Sequence, residues 1–83
     1  MMHIKILGPG CMNCNTLALR TQEAIAELGI EATIEKVESY QVIASYGILK
    51  TPGLVFERKV MVAGSVPTVQ RIKELLLEFR SVQ

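Results

Sequence analysis

The spacing of apolar and polar positions along this chain changes period several times, and each change marks an element. In "HIKIL", Ile4, Ile6 and Leu7 are interrupted by Lys5, which predicts a strand ended by Gly8, Pro9 and Gly10. From Cys14 to Leu28 the apolar positions Leu17, Ala18, Ala24, Ile25 and Leu28 recur at helical spacing, and Gly29 follows where a C-terminal glycine cap belongs. "IEATIEKV" alternates Ile30, Ala32 and Ile34 with Glu31, Thr33 and Glu35, the pattern of a strand with one wet face. Ser39 can cap a short helix running to about Tyr46, with Val42, Ile43 and Tyr46 on one side and Gly47 as its stop. After the turn "ILKTPG", the runs "LVF" and "KVMVAG" flank Glu57 and Arg58 and predict a hairpin, although the usual Asn-Gly turn signal is absent. Val69, Ile72, Leu75, Leu76 and Phe79 form the buried stripe of a closing helix over Thr68–Arg80. Thr68 suits its N-cap, with Arg71 standing where a capping box wants Glu or Gln.

The predicted order is β-α-β-α-β-β-α, an α/β arrangement. Helices between the first three strands imply crossovers and parallel pairing, while the hairpin adds an antiparallel strand at one edge. The expected result is a four-stranded mixed sheet with helices on both faces. No linker, repeat or low-complexity segment divides the chain, so residues 1–83 are expected to form a single domain.

Composition narrows the setting. A hydrophobic content of 49% with 20% charged residues belongs to a folded chain, not to a disordered one. Nine Lys and Arg against eight Asp and Glu leave a net charge of +1, so neither a nucleic-acid footprint nor a polybasic membrane anchor is present. "MMHIKIL" has too few apolar residues for a secretory core, and no apolar run approaches the ~18 residues that span a bilayer. A cytoplasmic location is expected.

The chemistry concentrates in "GPGCMNC", residues 8–14, which holds both cysteines. In a reducing compartment two close cysteines are more often catalytic or metal-binding than structural, and a loop this short makes a poor staple. Cys11 falls in the loop after the first strand and Cys14 in the first turn of the helix, where unpaired N–H groups point outward. Partial positive charge at a helix start stabilises a thiolate and lowers a cysteine pKa from its free value of about 8.5. Cys11 is then the expected nucleophile, with Cys14 placed to resolve a mixed disulfide formed on it. Gly8, Pro9 and Gly10 would shape the loop that presents the thiol, and Met12 offers a soft apolar contact to a partner. Glu35 and Glu38 read as solvated positions of the strand pattern, away from the cysteines.

Two other chemistries fit the same residues. A pair of thiolates on a loop suits Cu(I) or Zn, although a structural zinc site wants four ligands and only His3 is available beyond the cysteines. His3 itself reads as a strand histidine. A redox-silent interaction domain is the third reading, with Tyr40 and Tyr46 as surface candidates, although the helical spacing makes Tyr46 core or half-core.

The strand followed by "CMNC" at a helix start, with Thr51 and Pro52 before a hairpin and last helix, resembles the thioredoxin fold without its N-terminal strand and helix. More closely, "IKILGPGCMNC", "YGILKTPGLVF" and "VAGSVPT" together resemble the small redox-active disulfide proteins, a compact thioredoxin-like family of bacteria and archaea. Metallochaperone domains run β-α-β-β-α-β instead, and favour Met where this chain has Pro9. The resemblance implies a thiol-disulfide oxidoreductase in which Cys11 and Cys14 carry both electrons. It implies a cis Pro52 packed against the pair, Thr51 offering backbone groups to an incoming peptide, and Gly10 and Met12 beside the substrate. No cofactor and no metal are implied. The expected partners are a protein or small-molecule disulfide and a reductase, with the chain a monomer or weak homodimer. Thioredoxins proper carry Trp before the first cysteine and Gly-Pro between the two, where this chain has Gly10 and then Met12 and Asn13.

Overall fold

The computed structural model describes residues 2–81, in the order β1 (Met2–Leu7), α1 (Met12–Leu28), β2 (Ala32–Val37), α2 (Tyr40–Ser45), β3 (Gly53–Phe56), β4 (Lys59–Ala63) and α3 (Val69–Ser81). Each expected element is present, in the expected order. The strands form one four-stranded mixed sheet, ordered β2-β1-β3-β4.

One expectation about pairing is overturned. β1 and β2 are parallel, in the register Ile4↔Ile34 and Leu7↔Val37, but β3 runs antiparallel to β1, with Leu7 opposite Gly53 and Ile4 opposite Phe56. The physical reason is length. A parallel return must carry the chain back along the whole of a strand of roughly 20 Å. Of residues 38–52, which join β2 to β3, only six are helical, a helix of about 9 Å that is too short to lie along the strands as a crossover helix does. The chain therefore turns at the end where β2 stops, and β3 starts beside the end of β1. β4 completes the expected hairpin.

The alternation in the strands sorts residues to two faces. Ile4 and Ile6 of β1 with Leu54 and Phe56 of β3 meet Leu17, Ala18 and Ala24 of α1 and Ile72, Leu75, Leu76 and Phe79 of α3 in the main core. Phe56 and Phe79 pack edge to face, centroids 5.6 Å apart. Thr21, the buried polar residue on α1, donates its hydroxyl to the Leu17 carbonyl at 2.7 Å, so burial leaves it satisfied. The opposite face holds a smaller cluster of Leu7, Val37 and Val55 under Ile43 of α2, with Tyr46, Ile48 and Val60 at its margin. Val42, expected on the packed side of α2, is exposed, because a helix of under two turns presents a narrow buried stripe. A bulge in the β3–β4 pairing skips Met61, which places both Met61 and Val62 against the main core.

The hairpin turn shows how the charged pair Glu57-Arg58 replaces Asn-Gly. Glu57 takes the left-handed conformation, φ 58°. Its backbone N–H donates to the His3 carbonyl at 2.8 Å, and its carboxylate accepts from the His3 N–H at 2.6 Å. Those two bonds to β1 hold a conformation that a side chain otherwise disfavours.

Candidate active site

The site is assembled at the end of the sheet where β1 and β2 finish and β3 begins. The Gly8 N–H donates to the Val37 carbonyl at 2.9 Å, extending the β1–β2 ladder by one step beyond Leu7. Gly10 then takes φ 90°, a conformation open to glycine, and the chain enters α1. Cys11 is the N-cap of α1: its sulfur accepts from the Cys14 N–H at 3.2 Å, the bond a Ser or Asp makes at other helix starts.

Cys11 and Cys14 are joined as a disulfide, with Cα atoms 5.1 Å apart. Their surroundings differ sharply. Cys11 is exposed, whereas Cys14 is 4% exposed and counts among the core residues. Gly8 explains the burial, because a Cβ at that position would overlap the Cys14 sulfur. Its glycine thus does more than end a strand: it vacates the space into which the second thiol packs.

Thr51 and Pro52 close the other side. The Thr51–Pro52 peptide bond is cis, and Pro52 is fully buried while Thr51 is half-buried. The Thr51 Cβ lies 3.8 Å from where a Gly8 Cβ would stand, which fixes the two segments as neighbours. The antiparallel pairing of β3 makes this contact, since it opposes Leu7 to Gly53. Met12 is 83% exposed at the first position of α1. Gly10 is also exposed. Cys11, Cys14, Gly10, Met12, Thr51 and Pro52 therefore gather at one end of the sheet.

The 64–67 segment, between β4 and α3, forms the far margin. The Gly64 N–H donates to the Pro52 carbonyl at 2.8 Å, and the Lys50 side chain comes so close that a Cβ on Gly64 would lie 2.8 Å from its Cβ. At the other end of the segment, the Arg20 guanidinium of α1 donates to the carbonyls of Val66, at 3.4 Å, and Pro67, at 3.2 Å.

Two neighbours of the site escaped the sequence pattern. Glu38 is exposed but not remote: its carboxylate lies 3.0 Å from the position a Gly10 Cβ would take. The signal was the parallel register of β1 and β2, which carries the residue after Val37 toward the loop after Leu7. Arg20 had no signal, because its partners are carbonyls and a sequence does not show where a carbonyl points. Lys36 also reaches the helix start, donating to the Asn15 side chain at 3.4 Å.

His3 sits toward the opposite end of β1, its Nδ1 3.0 Å from the Thr33 hydroxyl. Among the described residues no three of His, Cys, Asp and Glu are grouped to hold a metal. Tyr40 is exposed at the start of α2, and Tyr46 is half-buried against the smaller cluster. Lys5, also on the α2 face, has its pKa held above the ordinary lysine value, first because the Tyr46 hydroxyl accepts its proton in a 3.0 Å hydrogen bond. Among the described residues, no helix is long and apolar enough to cross a membrane.

Comparison with known proteins yields one answer throughout. Residues 2–77 match a family model described as a thioredoxin domain. A thioredoxin of Methanothermobacter thermautotrophicus is 38% identical over 76 residues, covering 92% of this chain and 99% of the relative. A thioredoxin of Methanocaldococcus jannaschii is 38% identical over 79 residues, covering 95% of this chain and 91% of that protein.

Proposed function

Because this chain belongs to the thioredoxin family and is a thiol-disulfide oxidoreductase, we propose that Cys11 is its nucleophile and Cys14 its resolving thiol. The difference in exposure carries the assignment: a partner disulfide can reach Cys11 from solvent, while Cys14 is covered. The position of Cys11 as N-cap adds to it. The Cys14 N–H that meets its sulfur in the disulfide would also meet a Cys11 thiolate, and no acidic residue occupies the first turn of α1 to oppose that charge.

In the reduced protein the Cys11 thiolate attacks one sulfur of the substrate disulfide. That S–S bond breaks as the Cys11–substrate bond forms, and the released substrate thiolate takes up a proton. Cys14, deprotonated, then attacks the Cys11 sulfur and expels the second substrate thiolate, which is also protonated. Two electrons have passed to the substrate, and the Cys11–Cys14 disulfide remains. A reductase returns two electrons and two protons to restore the dithiol.

Thr51 and Pro52 form the docking edge for an extended substrate segment, with Gly10 and Met12 beside the attacked sulfur. The exposed Met12 suits an apolar side chain of the partner. The substrate is a protein or small-molecule disulfide, and the chain works as a single domain in the cytoplasm, as a monomer or weak homodimer.

The test is the reduction potential of the pair, from thiol labelling across glutathione buffers under metal-free conditions, with a parallel Cu(I) and Zn titration. A reversible two-electron transition between about −120 and −270 mV is expected. No reversible disulfide, together with tight 1:1 metal uptake, would contradict the reading.

A further inference from the structure

The sequence "GSVP" borders the site through the Gly64–Pro52 hydrogen bond, Arg20 reaches that segment from α1, and the exchange chemistry uses neither. We propose that Arg20 is a positioning residue for protein substrates: it holds the 64–67 segment as a second docking wall beside Pro52. Exchange with a folded protein disulfide then depends on it, and exchange with a small disulfide does not. The proposal rests on the Cys11 reading above and extends it to substrate choice.

The placement of the segment requires such a device. Pro67 has no backbone N–H, so a regular ladder cannot continue through it to fix the chain. The segment is instead pinned at two ends. Gly64 donates to the Pro52 carbonyl at 2.8 Å, and Arg20 donates to the Val66 and Pro67 carbonyls at 3.4 and 3.2 Å. Between the pins Ser65 is exposed. Arg20 thereby ties this wall to α1, the helix that begins with the cysteine pair.

The choice of residue fits the task. A half-buried arginine loses rotamer freedom, and here its guanidinium meets carbonyl oxygens; neither ion pair found among the described residues includes it. Both bonds come from one guanidinium nitrogen, Nη1, which bridges the two successive carbonyls. Gly64 supports the same geometry, since it has φ 85° and leaves room for Lys50. A small disulfide needs only the exposed Cys11 sulfur. A disulfide on a protein surface brings flanking chain with it, and that chain runs across the Thr51–Pro52 edge and the 64–67 segment paired to it.

The experiment is steady-state kinetics of the full chain with two probes, insulin and glutathione disulfide, for the wild type, Arg20→Met, Arg20→Lys and Gly64→Ala. In Arg20→Met, KM for insulin should rise about tenfold with kcat within about twofold, the size expected for lost charge-assisted hydrogen bonds. The rate with glutathione disulfide should stay within about twofold. Arg20→Lys should recover part of the loss, since it restores one donor. Gly64→Ala should reproduce the selective rise in KM without touching Arg20, and it carries the test alone if Arg20→Met does not fold. Equal losses on both probes, or no loss on insulin in either variant, would overturn the proposal. A Cys11→Ser control as active as the wild type on both probes would instead overturn the Cys11 reading on which it rests.

Discussion

The helices α1 and α2 each join two strands, yet they return the chain in opposite ways. α1 has 17 residues, about 25 Å of helix, enough to carry the chain back along β1 and start β2 parallel to it. α2 has six, about 9 Å, too short to lie along the strands. The long connection builds the core, because its buried side packs with α3 over the face of β1 and β3. The short one builds the site, because it turns the chain at the end where β1 stops and delivers Thr51 and Pro52 beside Gly8. A longer α2 that restored the parallel strand would place Pro52 at the far end of the sheet from the cysteines.

If stability resides with α1 and placement with α2, removing the buried anchor of each should have different consequences. Leu17 is fully buried in the main core, whereas Ile43 is the buried residue of α2 and belongs to the smaller cluster. Leu17→Ala should cost about 3–5 kcal/mol of global stability by denaturant titration, and Ile43→Ala about 2 kcal/mol. The second should also raise hydrogen exchange selectively in α2 and residues 47–52. Equal losses would erase the distinction between the two helices.

Gly8 lies where the two regions meet, and its substitution should have the next largest effect. An added Cβ would overlap the Cys14 sulfur. Gly8→Ala should therefore destabilise the oxidised form by about 1–3 kcal/mol, the usual range for overpacking. It should also slow release of the mixed disulfide more than its formation, since Cys14 and not Cys11 is displaced. Rapid-quench separation of the two steps measures this, and an equal slowing of both would count against a Gly8–Cys14 contact.

The smallest effect belongs to Lys5 and Tyr46 on the α2 face. The folded-state pKa of Lys5 is raised, so its contribution to stability is present below the unfolded value of about 10.4. That contribution is lost as pH rises through the folded value. Tyr46→Phe removes the acceptor, and the alkaline fall in stability above about pH 10.4 should become slightly shallower in denaturant titrations. A fall unchanged by the substitution would mean that the hydrogen bond does not set the Lys5 pKa.

Element positions were readable from the sequence because periodicity reports burial, and burial decides helix and strand here. Ile4, Ile6, Leu17, Ile72 and Leu76 all lie where the pattern put them, in the core. The Cys pair was readable because its chemistry and spacing are local, whereas Thr51-Pro52 gained its role through the family resemblance. The direction of β3 was not, since periodicity is the same for a strand run either way and only the short reach of α2 decides it. The role of Gly8 was hidden for a related reason: a missing Cβ acquires meaning from what fills its place, and Cys14 comes from another turn of the chain. Glu38 and Arg20 reach the site across the fold, through contacts with backbone that no side-chain pattern records.

In the proposed mechanism Cys11 is the thiol a partner reaches and Cys14 the one that resolves. The most direct test is mass spectrometry of adducts after reduced Cys11→Ser and Cys14→Ser proteins meet a peptide disulfide. Cys14→Ser should accumulate a stable mixed disulfide through Cys11, and Cys11→Ser should form little or none. Accumulation through Cys14 in the Cys11→Ser protein, at a rate matching that of the other variant, would contradict the assignment.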